Sequence, residues 1–150
     1  MHIIAAKAVC FEEAMSPAFR EYQRQVISNA KALASSLMSE GIRLVSGGTD
    51  NHLMLADLGL DGMSGKEVEA LLDRANITLN KNSVPNDTRS MFATSGLRIG
   101  TPAATTRGLR EDDFACLGRL IARVIREGEA ALPEVSAAVA EITARYPLYE

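Results

Sequence analysis

Arg98 is the residue of this sequence whose type and setting best suit it to bind a ligand. Leu97 and Ile99 alternate with it, which predicts a short strand with both apolar side chains on one face and the guanidinium on the other. Gly96 and Gly100 bracket this strand. A planar guanidinium on such a rigid element suits bidentate binding of a carboxylate or a phosphate. The spacing alone favours a simpler interpretation, in which an edge-strand arginine pairs with a nearby Asp or Glu side chain.

The remaining polar residues do not form a pattern typical of a metal site or of a nucleophile with its base. Cys10 and Cys116 have neither metal-ligand nor disulfide spacing, and His52 has no Cys or Glu at metal spacing. We therefore predict no metal site and interpret His52 as a strand histidine that faces a neighbouring loop. Asp50 or Asp57 could act as a general base, but aspartates in turns and at strand ends usually cap the backbone.

Composition and charge indicate a folded chain of one domain. Its 150 residues are 47% hydrophobic and 23% charged, as in ordinary globular proteins. A net charge of −3 argues against a general nucleic-acid binder, and no apolar run reaches membrane-spanning length. The first residues lack the basic and cleavage regions of a signal peptide, and two unpaired cysteines suit a reducing compartment. We therefore expect a cytoplasmic protein.

Two consecutive helices are predicted before the first strand. Residues 3–15 are apolar on nearly every side, and a helix of this kind is normally buried. Ser16 and Pro17 fit the N-cap and the first position of a second helix, which Gly41 ends in a left-handed conformation. Such a helix looks like a segment of something larger, and we expect its apolar surface to need a partner outside the fold of residues 16–150.

The rest of the chain predicts a small sheet packed against helices. Strands are expected in four places, namely residues 42–45 and 52–57 as a hairpin, residues 77–80, and the segment around Arg98. Further helices begin at the capping box of Ser64 and Glu67, at Glu111 and at Pro133. The predicted class is α/β, a two-layer α/β sandwich with a small, largely antiparallel sheet preceded by long N-terminal helices.

A long polar loop at residues 81–93 separates the last two predicted strands. Connections of this length in a compact domain are often functional. Lys81 and Arg89 flank the loop and could attract an anion, although solvated loop charges are the usual case.

Four segments of the chain, in this order and at this spacing, resemble the serine hydroxymethyltransferase family. They are His2-Ile3-Ile4-Ala5-Ala6-Lys7-Ala8-Val9, Gly47-Gly48-Thr49-Asp50-Asn51-His52, Asn80-Lys81-Asn82-Ser83-Val84-Pro85 and Thr94-Ser95-Gly96-Leu97-Arg98-Ile99-Gly100-Thr101-Pro102. The resemblance implies the C-terminal part of a fold-type-I pyridoxal-phosphate enzyme that interconverts serine and glycine with tetrahydrofolate. Residues 1–15 would be the end of the large domain's connecting helix, and residues 16–150 the C-terminal small domain.

The resemblance also implies roles for individual residues. Arg98 matches the arginine that binds the carboxylate of the amino-acid substrate. Asn82, Ser90, Met91 and Phe92 match positions that contact the folate, and the family usually has a proline where this chain has Met91.

The same resemblance implies that the chain alone is inactive. Family members hold pyridoxal phosphate on a lysine that follows a Thr-Thr-His run, and none of Lys7, Lys31, Lys66 and Lys81 has that context. The alternative is a non-enzymatic module that binds folate or pairs with a full-length partner. We expect neither a nucleic-acid nor a membrane partner, and we expect a homo-oligomer formed through the N-terminal helix.

Overall fold

The computed structural model describes residues 1–148, which form six α-helices and four strands. In chain order they are α1 His2–Met15, α2 Pro17–Ser39, β1 Arg43–Leu44, β2 Leu53–Asp57, α3 Gly65–Arg74, β3 Asn80–Asn82, β4 Gly96–Gly100, α4 Pro102–Arg107, α5 Glu111–Glu127 and α6 Leu132–Ala144. Short 3₁₀ turns follow β1 and α5. Within the described part of the chain, none of the helices combines the length and apolar character needed to cross a bilayer.

The four strands form one antiparallel sheet in the order β1-β2-β4-β3. Met54 on β2 pairs with Ile99 on β4, and Ala56 pairs with Leu97; all four side chains are buried. Because strand side chains alternate, this face meets the helices and the other face carries Arg98. The expected α/β class with a small antiparallel sheet is confirmed.

Helices α2 and α5 pack closely along each other beneath the sheet. A Cβ atom on Gly118 of α5 would lie 2.5 Å from Ser36 Oγ, so only glycine allows this approach. Ser36 in turn donates its hydroxyl to the Ala115 carbonyl at 2.7 Å. The buried apolar side chains of both helices, including Leu33 and Phe114, belong to one continuous core.

Several local predictions are confirmed because their signals lie within a few residues. Ser16 caps α2 by accepting a hydrogen bond from Phe19 N at 3.1 Å, with Pro17 in the first turn. Gly41 has a φ of 83°, as expected just after a helix end. Ser64 and Glu67 form the predicted capping box of α3.

The strand predicted at residues 77–80 is wrong in position. Ile77 and Leu79 pack against the core as loop residues, and pairing with β4 starts only at Asn80. Their apolar alternation reflected burial, not a ladder. The strand predicted at 42–45 is also shorter, because Val45 begins a 3₁₀ turn in which Ser46 has a φ of 69°.

Helix α4 was not anticipated from the sequence. Pro102 follows β4 closely and occupies the first turn of this six-residue helix. Gly108 ends α4 with a φ of 113°.

Helix α1 forms as predicted, and within the described chain its apolar surface is not covered. None of its residues is buried. Ile4 and Phe11 are each 65% exposed, and Met15 is 75% exposed. Among the described residues, α1 makes its main contacts with α2, and its apolar surface stays largely in contact with solvent.

Candidate functional site

Arg98 lies in the middle of the outer face of the sheet. It pairs across the ladder with Leu55 on β2 and with Asn80 on β3, and its side chain is exposed. Its Nη2 atom donates to Asn80 Oδ1 at 3.3 Å. Among the ion pairs of residues 1–148, none involves Arg98. Within this described part of the chain, the simpler interpretation of an arginine neutralised by Asp or Glu is therefore not met.

The end of β4 beyond Arg98 is held by Thr101. Its buried hydroxyl donates to the Val26 carbonyl of α2 at 2.9 Å, and its N–H donates to the His52 carbonyl at 3.0 Å. Asn29 of α2 is also buried and donates to Thr105 Oγ1 at 2.9 Å. These bonds tie α4 to α2, so the strand carrying Arg98 is anchored at this end.

Strand β3 is anchored to α3 by one carboxylate. Glu69 Oε1 accepts a hydrogen bond from Lys81 N at 3.0 Å, and Glu69 Oε2 lies 4.0 Å from Lys81 Nζ. Lys81 is therefore a half-buried strand residue paired to a helix, not the solvated loop charge considered from the sequence. Because Lys81 pairs with Leu97, its side chain points to the helical face, opposite Arg98.

Asn82 lies two residues after Asn80, on the same face as Arg98. Its amide Nδ2 donates to the Ser83 carbonyl at 2.7 Å. Met91 and Phe92 lie on the following loop and are 76% and 77% exposed. The structure therefore places Asn82 and Arg98 on the same face of neighbouring strands. Met91 and Phe92 are exposed on the loop that connects these strands.

The loop of residues 83–95 is internally tied by Asp87. Its carboxylate accepts hydrogen bonds from Ser95 Oγ at 2.7 Å, Ser95 N at 2.8 Å, Arg89 N at 3.0 Å and Val84 N at 3.3 Å. The Ser95 hydroxyl, aided by the backbone N–H groups, lowers the pKa of Asp87 to about 2. Sequence reasoning missed Asp87, although an Asn-Asp pair is a turn signal.

Arg89 holds the same loop to the β2–α3 connection. Its Nη2 atom donates to the carbonyls of Leu60 at 2.6 Å and Gly62 at 2.7 Å. The loop end also rests on α3, because Gly65 N donates to the Thr94 carbonyl at 3.0 Å. The Arg89 guanidinium thus binds backbone carbonyl groups of this chain, whereas the sequence had suggested that it could attract a free anion.

The weaker candidates have structural roles or lie apart from Arg98. Asp57 is buried, pairs with Arg43 across the β1–β2 ladder and accepts a hydrogen bond from Gly59 N at 2.8 Å. Asp50 and His52 lie exposed in the connection before β2. Within residues 1–148, no three His, Cys, Asp or Glu side chains come together as a metal site would require.

These features define a class: an α/β domain whose small antiparallel sheet presents, on its outer face, an arginine that forms no ion pair with the described residues, beside a loop held by internal hydrogen bonds. The sequence matches the family model described as serine hydroxymethyltransferase over residues 1–121. The chain therefore belongs to the serine hydroxymethyltransferase family.

Curated relatives give the same family name. A protein of Myxococcus xanthus named serine hydroxymethyltransferase is 52% identical over 151 residues, covering 99% of this chain and 36% of the relative. One of Xanthomonas euvesicatoria with the same name is 56% identical over the same coverage. The chain thus spans about a third of the length of the curated relatives it matches.

Proposed function

We propose that this chain is the C-terminal domain of a serine hydroxymethyltransferase, residues 1–15 being the end of a connecting helix and residues 16–150 a small domain. The complete enzyme would interconvert serine and glycine with tetrahydrofolate and pyridoxal phosphate in the cytoplasm. The observation that carries the proposal is Arg98, whose guanidinium faces outward from a rigid sheet without a carboxylate partner among residues 1–148. A charge held in this way favours a carboxylate ligand from solution.

In this proposal Arg98 binds the carboxylate of serine or glycine with paired N–H donors. Asn80 occupies one of these donors and orients the guanidinium plane. Asn82, Ser90, Met91 and Phe92 contact the folate from the adjacent strand and loop. Two exposed large apolar side chains are suited to a flat ring system such as a pterin.

The residues of this chain do not fit pyridoxal phosphate. Lys81 is paired with Glu69 and lies on the helical face of the sheet, opposite Arg98. Lys7, Lys31 and Lys66 lie on exposed helical positions of α1, α2 and α3. We therefore propose that the cofactor is held by the part of the family fold that this chain does not span, and that the chain alone is inactive.

The test uses a chimera in which this chain replaces the matching 36% of the Xanthomonas euvesicatoria relative. Arg98→Lys retains the charge but loses the forked donors, and a charge-assisted bond contributes about 1.5–3 kcal/mol. The KM for serine should therefore rise at least about tenfold. Arg119→Lys, on the exposed side of α5, is the matched control and should leave KM unchanged. Unaltered serine kinetics in Arg98→Lys would show that the carboxylate binds elsewhere.

The alternative is a non-enzymatic module that binds folate or pairs with a longer family member. The uncovered helix α1 favours it, because an apolar helix with no buried residue offers a ready contact surface. Calorimetry with a reduced folate separates the two proposals. A C-terminal domain holds only part of a folate site and should bind more weakly than millimolar, whereas a micromolar constant would support the module.

We also propose that α1 forms a homo-oligomeric contact in the isolated chain. Its exposed apolar side chains include Ile3, Ile4, Val9, Phe11 and Met15. A second copy carries the same surface, so a two-fold contact can cover both helices.

A further inference from the structure

The carboxylate of Asp87 accepts hydrogen bonds from residues that lie on both sides of it in the chain. The hydrogen-bond donors to its carboxylate come from Val84 before it, Arg89 after it, and Ser95 at the entrance to β4. One side chain therefore closes the loop of residues 83–95 into a ring. Only one residue, Gly96, separates Ser95 from the apolar Leu97 that precedes Arg98 in β4.

The ring leaves one part of the loop free to contact a ligand. Met91 and Phe92 lie between Arg89 and Ser95, outside the bonds that Asp87 makes, and both side chains are exposed. The backbone around them is closed locally, because Ala93 N donates to the Ser90 carbonyl at 3.0 Å. The tip is thus short, and its two ends are fixed by the same carboxylate and its neighbours.

The entrance to β4 is too tightly packed to move with the loop. A Cβ atom on Gly96 would lie 2.7 Å from the Ala56 carbonyl oxygen of β2, outside the loop. Ser95 itself is 1% exposed. The hydrogen bonds between Asp87 and Ser95 therefore attach the loop to a rigid part of the sheet.

We propose that Asp87 is a positioning residue that holds the Met91–Phe92 tip at a set distance from Arg98. The proposal rests on the proposed function, in which the tip contacts the folate and Arg98 binds the substrate carboxylate. Since the one-carbon unit passes between these two ligands, their separation decides whether they can react.

A carboxylate suits this role better than an amide. All four of its hydrogen bonds come from donors, three N–H groups and one hydroxyl. An ionised carboxylate is acceptor-only, whereas an asparagine would place an NH₂ group against at least one of these donors. Asp87→Asn is therefore a near-isosteric change that weakens the ring without removing volume.

The first test measures amide exchange in the chain itself by NMR. In Asp87→Asn we expect the Ser95 and Arg89 amides to exchange at least about tenfold faster, while the core amides of α2 and α5 are unchanged. Asp73→Asn, on the exposed side of α3, is the matched control. Ser95→Ala removes only the hydroxyl bond and should give a smaller acceleration, so it serves if the first variant misfolds. Unchanged exchange at both amides in either variant overturns the proposal.

The second test measures kinetics in the chimera. Asp87→Asn should raise the KM for tetrahydrofolate at least about fivefold while the KM for serine changes less than twofold, because β4 is held independently by Thr101. Asp87→Glu, which restores the charge, should recover part of the loss. Equal changes in both constants would indicate a general structural role and overturn the proposal.

Phe92→Ala in the chimera separates the positioning role of Asp87 from the proposed function on which it rests, in which the loop contacts folate. If Phe92→Ala raises the KM for folate and Asp87→Asn does not, the positioning role fails while the folate-contacting loop stands. If Phe92→Ala has no effect on the KM for folate, the loop does not contact folate. The hydrogen bonds of Asp87 then have no role in placing that ligand. The exchange result then still decides whether Asp87 orders the loop.

Discussion

Arg98 and Asn80 are direct partners on neighbouring antiparallel strands, and the arginine donates to the asparagine across 3.3 Å. The contact orients the guanidinium without neutralising it, because an amide oxygen carries no formal charge. A guanidinium has five N–H donors, so most of the fork stays available for a ligand. Asn80 therefore orients Arg98 in the candidate site and leaves its charge available to a ligand.

The Asn80 contact leads to a graded prediction in the chimera. Asn80→Ala should raise the KM for serine by about two- to tenfold, since this long, exposed hydrogen bond of 3.3 Å should contribute about 0.5–1.5 kcal/mol, less than a short charge-assisted one. Asn80→Asp should raise it further, because a carboxylate beside Arg98 would compete with the substrate. Steady-state kinetics measures both variants. Gln23→Ala, on α2 and outside the sheet, is the control, and a smaller effect for Asp than for Ala would contradict the idea.

The isolated chain should not be labelled by pyridoxal phosphate at a specific lysine. Lys7, Lys31 and Lys66 lie on helices, and Lys81 faces the helical side of the sheet, where Glu69 contacts it. Borohydride reduction followed by mass spectrometry should show only low, scattered labelling. The unmodified Xanthomonas euvesicatoria relative is the positive control. One dominant labelled lysine in this chain would refute the prediction.

Helix α1 should drive association of the chain in solution. Covering its exposed apolar side chains gains about 25 cal/mol for each Å² removed from water. Light scattering at micromolar concentration should report a dimer or larger species, and Phe11→Glu should shift it towards monomer. Leu60→Glu, at an exposed loop position, is the control. A monomeric intact chain, or association that persists after deletion of residues 1–15, would contradict this.

Asp113 should make stability depend on acid. Burial would raise its pKa, but the Arg110 N–H, the Tyr146 hydroxyl and the Arg145 guanidinium together lower it. The folded pKa lies below the unfolded one, so this contribution is present above about pH 4 and disappears as pH falls through the folded value. Asp113→Asn should reduce the free energy of unfolding by about 1–3 kcal/mol near pH 7.

Urea unfolding at several pH values measures this effect. Asp112→Asn, at the exposed neighbouring position, is the matched control and should change stability little. The difference between the two variants should shrink below the folded pKa. A constant difference across the whole pH range would show that the carboxylate charge is not what matters.

Local signals in the sequence predicted much of the fold, and the errors have a common cause. Ser16 and Gly41 bound α2 by interactions within a few residues, so the sequence was sufficient there. The β3 strand was misplaced because Ile77 and Leu79 look like a strand in isolation. Their burial depends on helices distant in the chain, and no local pattern shows that.

The sequence indicated the residue types of the candidate site but not the hydrogen bonds that hold them in place. Arg98 stood out by alternation and by resemblance, and the structure places it where a ligand can reach it. Asp87 did not stand out, because its main partner, Ser95, is eight residues away and becomes its neighbour only when the loop closes. The side chains that orient a site are thus harder to find than those that face its ligand.

The alternation along β3 has a consequence for how the sheet must assemble. If β3 slipped by one residue against β4, Lys81 would turn to the outer face and the asparagines would turn inward. An ammonium would then lie beside the Arg98 guanidinium, and two amides would be buried without their present partners. Glu69 contacts the backbone N–H and the side chain of Lys81 only when Lys81 faces the helices, so these contacts favour the observed register.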